Sequence, residues 1–137
     1  MAEIKISELS IGDWVQYEFP EIGKKSIQVN SIDKEDNHIG AGGVGASAWS
    51  DVSNFEPIPL TSEILEKNGF VKWQGGLVLI GDEISCRYED GNLTIEQGYR
   101  DNDGVLVERL LVNIECKAVH QLQHALRLAG VEKEIEL

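Results

Sequence analysis

The sequence is poor in the residues that stabilise small secreted proteins or attach proteins to membranes. Its 137 residues include three prolines and only two cysteines, Cys86 and Cys116. A disulfide framework is therefore not expected, and we predict two reduced, largely buried thiols. No apolar run approaches the ~20 residues that a transmembrane helix needs, and the N terminus lacks the basic-then-apolar layout of a signal peptide. We expect a cytoplasmic protein with no membrane partner.

Basic residues are also scarce. Twelve lysines and arginines face 24 acidic residues, which gives a formal net charge of −12. Such a surface repels phosphate backbones, so we expect no direct nucleic-acid binding. The acids are scattered along the chain, and this pattern favours a role in solubility. An alternative is mimicry, in which an acidic protein occupies the basic groove of a nucleic-acid-binding partner.

Catalytic constellations are missing as well. No serine lies in a nucleophile-elbow context, so Ser-His-Asp chemistry cannot be assigned. Cys116, His120 and His124 are spaced four and four, and on one continuous helix they could hold zinc. However, we expect Cys116 to precede the helix, and no fourth ligand is evident. We predict a packed thiol and two histidines on the polar face of the helix, with no metal and no cofactor.

A glycine-rich string, Gly40–Ser47, satisfies the pattern G-x-G-x-x-G. A dinucleotide-binding fingerprint needs a buried strand before the string and a helix opening from it. The preceding residues 33–39 are too polar for a buried parallel strand, and the residues that follow make a poor crossover helix. We predict a flexible loop or a hairpin. Phosphate binding stays open as an alternative.

The strongest structural signal is a short helix over Thr61–Asn68, which two prolines precede. Thr61 is a good N-cap because its hydroxyl can accept from unpaired backbone N–H groups of the first turn. Gly69 supplies a left-handed C′ residue, and Phe70 beyond it can contact Leu65 in a Schellman-type stop.

The alternating patterns predict an α+β fold in two units, which are separate or share one core. Residues 1–58 contain several short strands, among them Trp14–Phe19, Ser26–Ile32 and a return segment from Ile39, and predict a small SH3-like barrel. Residues 59–137 predict an α+β unit of the short helix, an antiparallel sheet and a C-terminal helix. Hairpin turns are expected at residues 74–76 and 89–92. Gly130 should end the C-terminal helix as a C′ residue, with Val131 in contact with Leu126. The segments of this second unit are Phe70–Trp73, Leu77–Ile80, Ile84–Tyr88, Leu93–Gln97 and Val105–Ile114 as strands, and Ala118–Ala129 as the helix.

Tryptophan offers the best candidate for a partner-binding site. Three tryptophans in a chain of this length are most simply packing residues, but exposed aromatic residues are favoured at interface hot spots. Trp49 is the first candidate because it follows the glycine-rich string. Together with Gly42, Gly43 and Gly45, it forms our candidate partner or ligand site.

Three blocks resemble a family of small uncharacterised proteins of Bacteroides-type bacteria, their phages and mobile elements. Leu9–Val15 is similar to the family's L-R-I-G-N-x-V opening. Residues 56–65 with Gly69 and Phe70 are similar to E-P-I-P-L-T-E-E-W-L followed by G-F, although Ile64 replaces the family's usual tryptophan. Residues 119–123 with Ala125 and Leu126 are similar to V-H-Q-L-Q in a closing helix. The resemblance covers about a quarter of the chain. It implies a cytoplasmic protein of phage or mobile-element origin and carries over no activity.

The sequence thus predicts a non-enzymatic interaction module with an unknown protein partner. The first alternative is an antagonist of host defence, acting as an acidic mimic or as a sponge that binds a nucleotide signal at Gly40–Ser47. The second alternative is a metal-dependent enzyme using Cys116, His120 and His124.

Overall fold

A computed structural model describes residues 4–43, 45–81 and 83–137. Within these residues the chain forms two five-stranded antiparallel sheets and two α-helices, which confirms the predicted α+β class. The chain divides into two compact units. The first contains the residues up to Pro59 together with Ala118–His120, and the second contains Leu60–Lys117 and Gln121–Leu137.

The first unit is a sheet in the order β4-β3-β2-β1-β5, with a 3-10 helix (Ile6–Glu8) before it and another (Val52–Asn54) between β4 and β5. Its strands are β1 (Trp14–Phe19), β2 (Gly23–Asp33), β3 (His38–Gly43), β4 (Ala46–Asp51) and β5 (Phe55–Glu56). The predicted strand Trp14–Phe19 is confirmed.

One face of this sheet forms the core of the first unit. Alternation along the strands places every second side chain on that face, and the buried cluster follows this pattern. Its members are Ile4, Leu9, Val15, Ile27, Val29, Ile39, Ala41, Val52 and Phe55. Tyr17 closes the β1–β5 side, because its ring lies 4.8 Å from Phe19 and 4.9 Å from Phe55 between centroids.

The second unit opens with α1 (Ser62–Lys67), which confirms the predicted short helix. The Thr61 hydroxyl accepts from the Ile64 N–H at 3.3 Å as the N-cap. At the other end, the Phe70 N–H donates to the Leu65 carbonyl and Gly69 has a φ of +94°. These are the features of a Schellman motif, in which a left-handed C′ residue lets the chain satisfy its last carbonyls.

The sheet of the second unit is a five-stranded meander in the order β10-β9-β8-β7-β6. Its strands are β6 (Val71–Trp73), β7 (Gly76–Ile80), β8 (Ile84–Glu89), β9 (Asn92–Arg100) and β10 (Leu106–Glu115). The pairs Gln74–Gly75 and Asp90–Gly91 both have positive φ, as type I′ hairpin turns require. The hairpins predicted at these two turns are confirmed.

The second helix, α2 (Val119–Leu128), is one residue shorter at each end than predicted. Before it, Ala118 forms a β-bridge with Pro59, and the Val119 N–H donates to the Ile58 carbonyl at 2.9 Å. This bridge and this hydrogen bond explain why the first residues of α2 are grouped with the first unit. After the helix, the Val131 N–H donates to the Leu126 carbonyl at 2.8 Å, which confirms the predicted Schellman-type stop.

Candidate functional site

The glycine-rich string lies in a β-hairpin. Gly40, Gly42 and Gly43 belong to β3, Ser47 belongs to β4, and Val44 lies outside the described residues. The prediction of a flexible loop or a hairpin is therefore confirmed, and the string takes the hairpin form. A phosphate cradle of the dinucleotide type uses backbone N–H groups at a helix N terminus, whereas here strand β4 follows the string.

Cross-strand packing explains the first of these glycines. Gly40 pairs with Trp49 in the β3–β4 ladder. A Cβ added at Gly40 would lie 2.3 Å from the Ser31 Oγ and 3.1 Å from the Trp49 Cε3. Glycine at this position lets the indole ring lie against the β3 backbone, an arrangement that also compensates for a glycine in a strand.

Trp49 is the exposed element of this hairpin, with 56% of its surface accessible. Its ring contacts the His38 ring at 5.8 Å between centroids and an interplanar angle of 38°. The His38 Nδ1 lies 2.6 Å from the Asp36 carbonyl oxygen, and because that oxygen can only accept, Nδ1 carries the proton. The indole of Trp49 thus packs against the backbone at Gly40 and against the ring of His38.

An aspartate borders the aromatic pair. Asp51 pairs with His38 in the β3–β4 register. Its carboxylate accepts from the Ser53 N–H at 3.0 Å and the Ser53 hydroxyl at 2.8 Å. Both hydrogen bonds lower the pKa of Asp51 below its ordinary value, and the bond from the Ser53 backbone has the larger effect. We call Trp49, His38, Gly40, Gly42 and Asp51 the Trp49 surface.

The four predicted site residues do not all lie on this surface. Gly42 pairs with Ser47, two residues from Trp49, and is on the same face of the hairpin. Gly43 is on the opposite face, because a Cβ there would meet the Ile27 Cγ2 of the core at 3.3 Å. Gly45 has a φ of +74° and serves the turn. The structure therefore brings Trp49 and Gly42 together and gives Gly43 and Gly45 packing and turn roles.

Cys116, His120 and His124 do not lie on one continuous helix. Cys116 comes before α2, where its N–H donates to the Gly91 carbonyl at 2.8 Å. Burial raises the pKa of Cys116 to about 12, so the thiol is protonated at neutral pH. Among the described residues, no three or more His, Cys, Asp or Glu side chains are grouped to hold a metal ion.

The position of His120 differs from our second expectation for the set Cys116, His120 and His124. We predicted two histidines on the polar face of α2, but His120 is buried, with 3% of its surface accessible. Its Nε2 lies 3.8 Å from the Glu8 Oε2. His124 is partly buried. His120 is therefore a buried residue that is grouped with the first unit, which its sequence position at the start of a helix did not reveal.

The other cysteine lines a cavity of about 750 Å³ in the second unit, between β7, β8 and the residues after α2. Cys86 is buried, and burial raises its pKa to about 11. A reactive thiol is partly exposed and has a lowered pKa, and Cys86 has the opposite character. Both cysteines are buried and neither is in a disulfide among the described residues, which agrees with the prediction of buried thiols.

The sequence did not single out an exposed patch on the second sheet. Trp73 is 56% exposed and lines a cavity of about 220 Å³ with Val78 and Ile80. Arg87 borders this cavity and donates to the carbonyls of Trp73 and Gln74 at 3.2 and 2.7 Å. The sequence signal that could have revealed this patch is the alternation Val71-Lys72-Trp73, because it puts two large apolar side chains on one face of β6.

No family model, no curated protein and no solved structure matches this chain. Within the part of the chain that the structure describes, no helix combines the length and the apolar character that crossing a membrane requires.

Proposed function

We propose that the chain is a non-enzymatic protein-interaction module whose first unit is SH3-like and binds its partner through the Trp49 surface. Support for the SH3-like assignment comes from connectivity. Strands β1 to β4 form a meander, a 3-10 helix follows β4, and β5 returns to pair with β1. This connectivity is that of SH3-like barrels, a fold that serves many functions, so the role must be argued from the site.

The exposure of Trp49 is the observation that carries the proposal. A large indole is costly to leave in water, and here Gly40 and His38 hold it in place, so little side-chain entropy remains to be lost on binding. Tryptophan is one of the residues that are enriched at the energetic hot spots of protein interfaces. The nearby carboxylate of Asp51 favours a partner with a basic group at the rim.

The chemistry of the remaining groups supports a binding role over catalysis. Both thiols are buried and protonated, and the His120 side chain is buried. The net charge of −12 supports a protein partner over a nucleic acid. The resemblance to proteins of phages and mobile elements supports a cytoplasmic role in a bacterium that carries such an element.

Two tryptophans with equal exposure allow a matched test. Trp49 and Trp73 are both 56% exposed but lie in different units. We would capture partners from a lysate of the source bacterium with the wild type, Trp49→Ala and Trp73→Ala, and then measure the affinity for the purified partner. We expect Trp49→Ala to weaken binding about thirtyfold, as truncation of a hot spot does, and Trp73→Ala to leave the affinity unchanged.

Two results would contradict this function. One is the absence of any specific partner at near-native protein concentration. The other is a partner whose affinity is the same for the wild type and Trp49→Ala. A partner that is itself a nucleic-acid-binding protein, with an affinity that is insensitive to Trp49 but falls steeply with salt, would instead support acidic mimicry.

A further inference from the structure

β10 is an unusual edge strand. It is ten residues long and pairs with β9 alone, whereas β6, at the opposite edge of the same sheet, has three residues. Proteins usually protect long edges with proline, lysine, bulges or a covering segment, because an open edge is a template for another strand. The ladder of β10 has one irregularity, between Leu110 and Val112, so its first half, Leu106–Leu110, is a regular strand.

The turn before β10 determines which backbone groups point to the open side. The Asp101 N–H donates to the Val105 carbonyl at 3.0 Å and the Val105 N–H donates to the Asp101 Oδ1 at 2.9 Å, so the backbone groups of Val105 are directed toward Asp101, as in a hydrogen-bonded pair. In an antiparallel ladder such pairs alternate with pairs that do not bond to each other. It follows that Leu106, Glu108 and Leu110 direct their N–H and C=O groups away from β9. Their side chains also share one face of the strand.

The end of this hairpin extends beyond the rest of the sheet. β8 pairs with β9 over Asn92–Gln97, and the Gly98 N–H donates to the Glu83 carbonyl at 2.7 Å, so within β9 the two residues Tyr99 and Arg100 pair with β10 and with no other described strand. A two-stranded ribbon is marginally stable in water without further packing. This end of the hairpin nevertheless carries the exposed apolar side chains of Tyr99, Val105 and Leu106, and Leu110 is exposed further along β10. Exposed apolar residues concentrated on one element indicate an interaction site.

The side chains along the edge define the chemistry of a matching segment. Leu106 and Leu110 are exposed apolar residues, and Glu108 lies between them on the same face. On that face Glu96 pairs with Leu110 and Arg100 pairs with Leu106, so their charges offset each other and Glu108 is the carboxylate in excess. Cross-strand pairs favour apolar against apolar and opposite charges against each other. A complementary strand therefore has a basic residue with apolar residues two positions away on both sides.

A second copy of this chain does not match this edge in the registers centred on the middle residues of the edge. A two-fold antiparallel pairing centred on Glu108 puts two glutamates opposite each other, and one centred on Arg109 does the same with two arginines. Centring on Val107 puts Leu106 opposite Glu108. Like charges directly opposite destabilise a sheet, and each copy also carries a net charge of −12.

We propose that Leu106–Leu110 is a docking edge for an extended segment of another protein, in which a lysine or arginine is flanked at alternate positions by apolar residues. The segment adds a strand to the sheet, so that backbone hydrogen bonds supply affinity and the Glu108 carboxylate selects the basic residue. This proposal extends the interaction role to the second unit, and it does not depend on the Trp49 surface.

The test uses two synthetic peptides with the cores Val-Thr-Lys-Thr-Val and Val-Thr-Glu-Thr-Val on the full chain. We expect the lysine peptide to bind about fivefold more tightly, because it pairs with Glu108 where the glutamate peptide is repelled. Hydrogen exchange should then show new protection at the amides of Leu106, Glu108 and Leu110. Protection elsewhere, no binding of the lysine peptide, or protection of this edge by dimerisation without peptide would overturn the proposal.

Substitutions at Glu108 separate the backbone from the side chain. Glu108→Pro removes an outward N–H and keeps the ladder to β9, because proline is tolerated on the open side of an edge strand. We expect it to weaken peptide binding at least about tenfold, whereas the matched Glu108→Ala retains most of the affinity. If the proline variant fails to fold, Glu108→Lys keeps the N–H and should reverse the peptide preference. An unchanged peptide preference in Glu108→Lys would contradict the proposal. A partner affinity that is the same for the wild type and Trp49→Ala would contradict only the first function.

Discussion

Asn68 is the residue whose replacement tests the packing of the second unit most directly. Its side chain is buried at the C-cap of α1. The Asn68 Nδ2 donates to the Glu136 carbonyl at 2.7 Å and to the Ile64 carbonyl at 2.8 Å, and the Oδ1 accepts from the Glu136 N–H at 2.8 Å. One side-chain amide thus connects the helix to the C-terminal residues, where Ile135 is buried.

The geometry gives the magnitude. Asn68→Ala removes three hydrogen bonds, each worth about 0.5–1.5 kcal/mol net. The backbone groups of Glu136 then regain partners only by moving toward water, which exposes part of Ile135 and adds a fraction of the roughly 2 kcal/mol for a buried aliphatic side chain. We expect a loss of about 2–4 kcal/mol in the free energy of unfolding. Asn68→Asp keeps one acceptor but turns a carboxylate oxygen toward two carbonyls, so we expect it to destabilise at least as much.

Urea denaturation at constant m-value measures the change. Asn102→Ala, at an exposed turn position, is the control and should stay within about 0.5 kcal/mol of the wild type. Hydrogen exchange at the Glu136 amide should accelerate in Asn68→Ala and not in the control. The reasoning is refuted if Asn68→Ala has wild-type stability, or if Asn68→Asp is as stable as the wild type.

Three further predictions concern the helix and the thiols. Leu65→Ala should cost about 2–5 kcal/mol in urea denaturation, because Leu65 is fully buried; the folded fraction should keep any partner binding, and a stable variant without binding would contradict us. Gly69→Ala should cost about 1–2 kcal/mol through its φ of +94°, since the new Cβ would make only an ordinary 3.5 Å contact with Leu79; an unchanged midpoint would refute this. The pKa values of Cys86 and Cys116 are raised to about 11 and 12 from 9.0, so the unfolded chain releases these protons first. Their stabilising contribution is complete below about pH 9 and is lost as the pH rises toward 12; rapid labelling of the native thiols at pH 8 would refute their burial.

Local signals predicted the helices because helix ends are encoded within a few residues. Thr61 begins the hydrogen-bonding pattern of α1 and Gly69 ends it, through contacts no more than five residues apart. Gly130 ends α2 in the same way as Gly69 ends α1. The two hairpin turns of the second sheet were predicted for the same reason, since residues such as Asp90 and Gly91 tolerate positive φ.

Long-range pairing explains what the sequence did not predict. The glycines of β3 have low strand propensity, and they are in a strand because Trp49 covers Gly40 from the opposite strand. His120 is buried although it occupies a helical position that reads as polar. The bridge between Pro59 and Ala118 brings the first turn of α2 into the first unit, and 58 residues of chain lie between the two bridged residues. β9 extends three residues beyond the predicted Gln97 because β10 supplies backbone partners for a segment that lacks a buried face.

The two proposed surfaces use different parts of the chain, and this difference makes them separable. At the Trp49 surface the indole side chain supplies the contact area, so truncation to alanine removes binding and backbone changes on distant strands do not. At β10 the backbone of Leu106–Leu110 supplies the hydrogen bonds, so alanine at Glu108 is tolerated and proline is not. Because the surfaces belong to separate compact units and share no residue, Trp49→Ala and Glu108→Pro should have additive effects on a partner that uses both. A marked departure from additivity would show that one segment of the partner spans both surfaces.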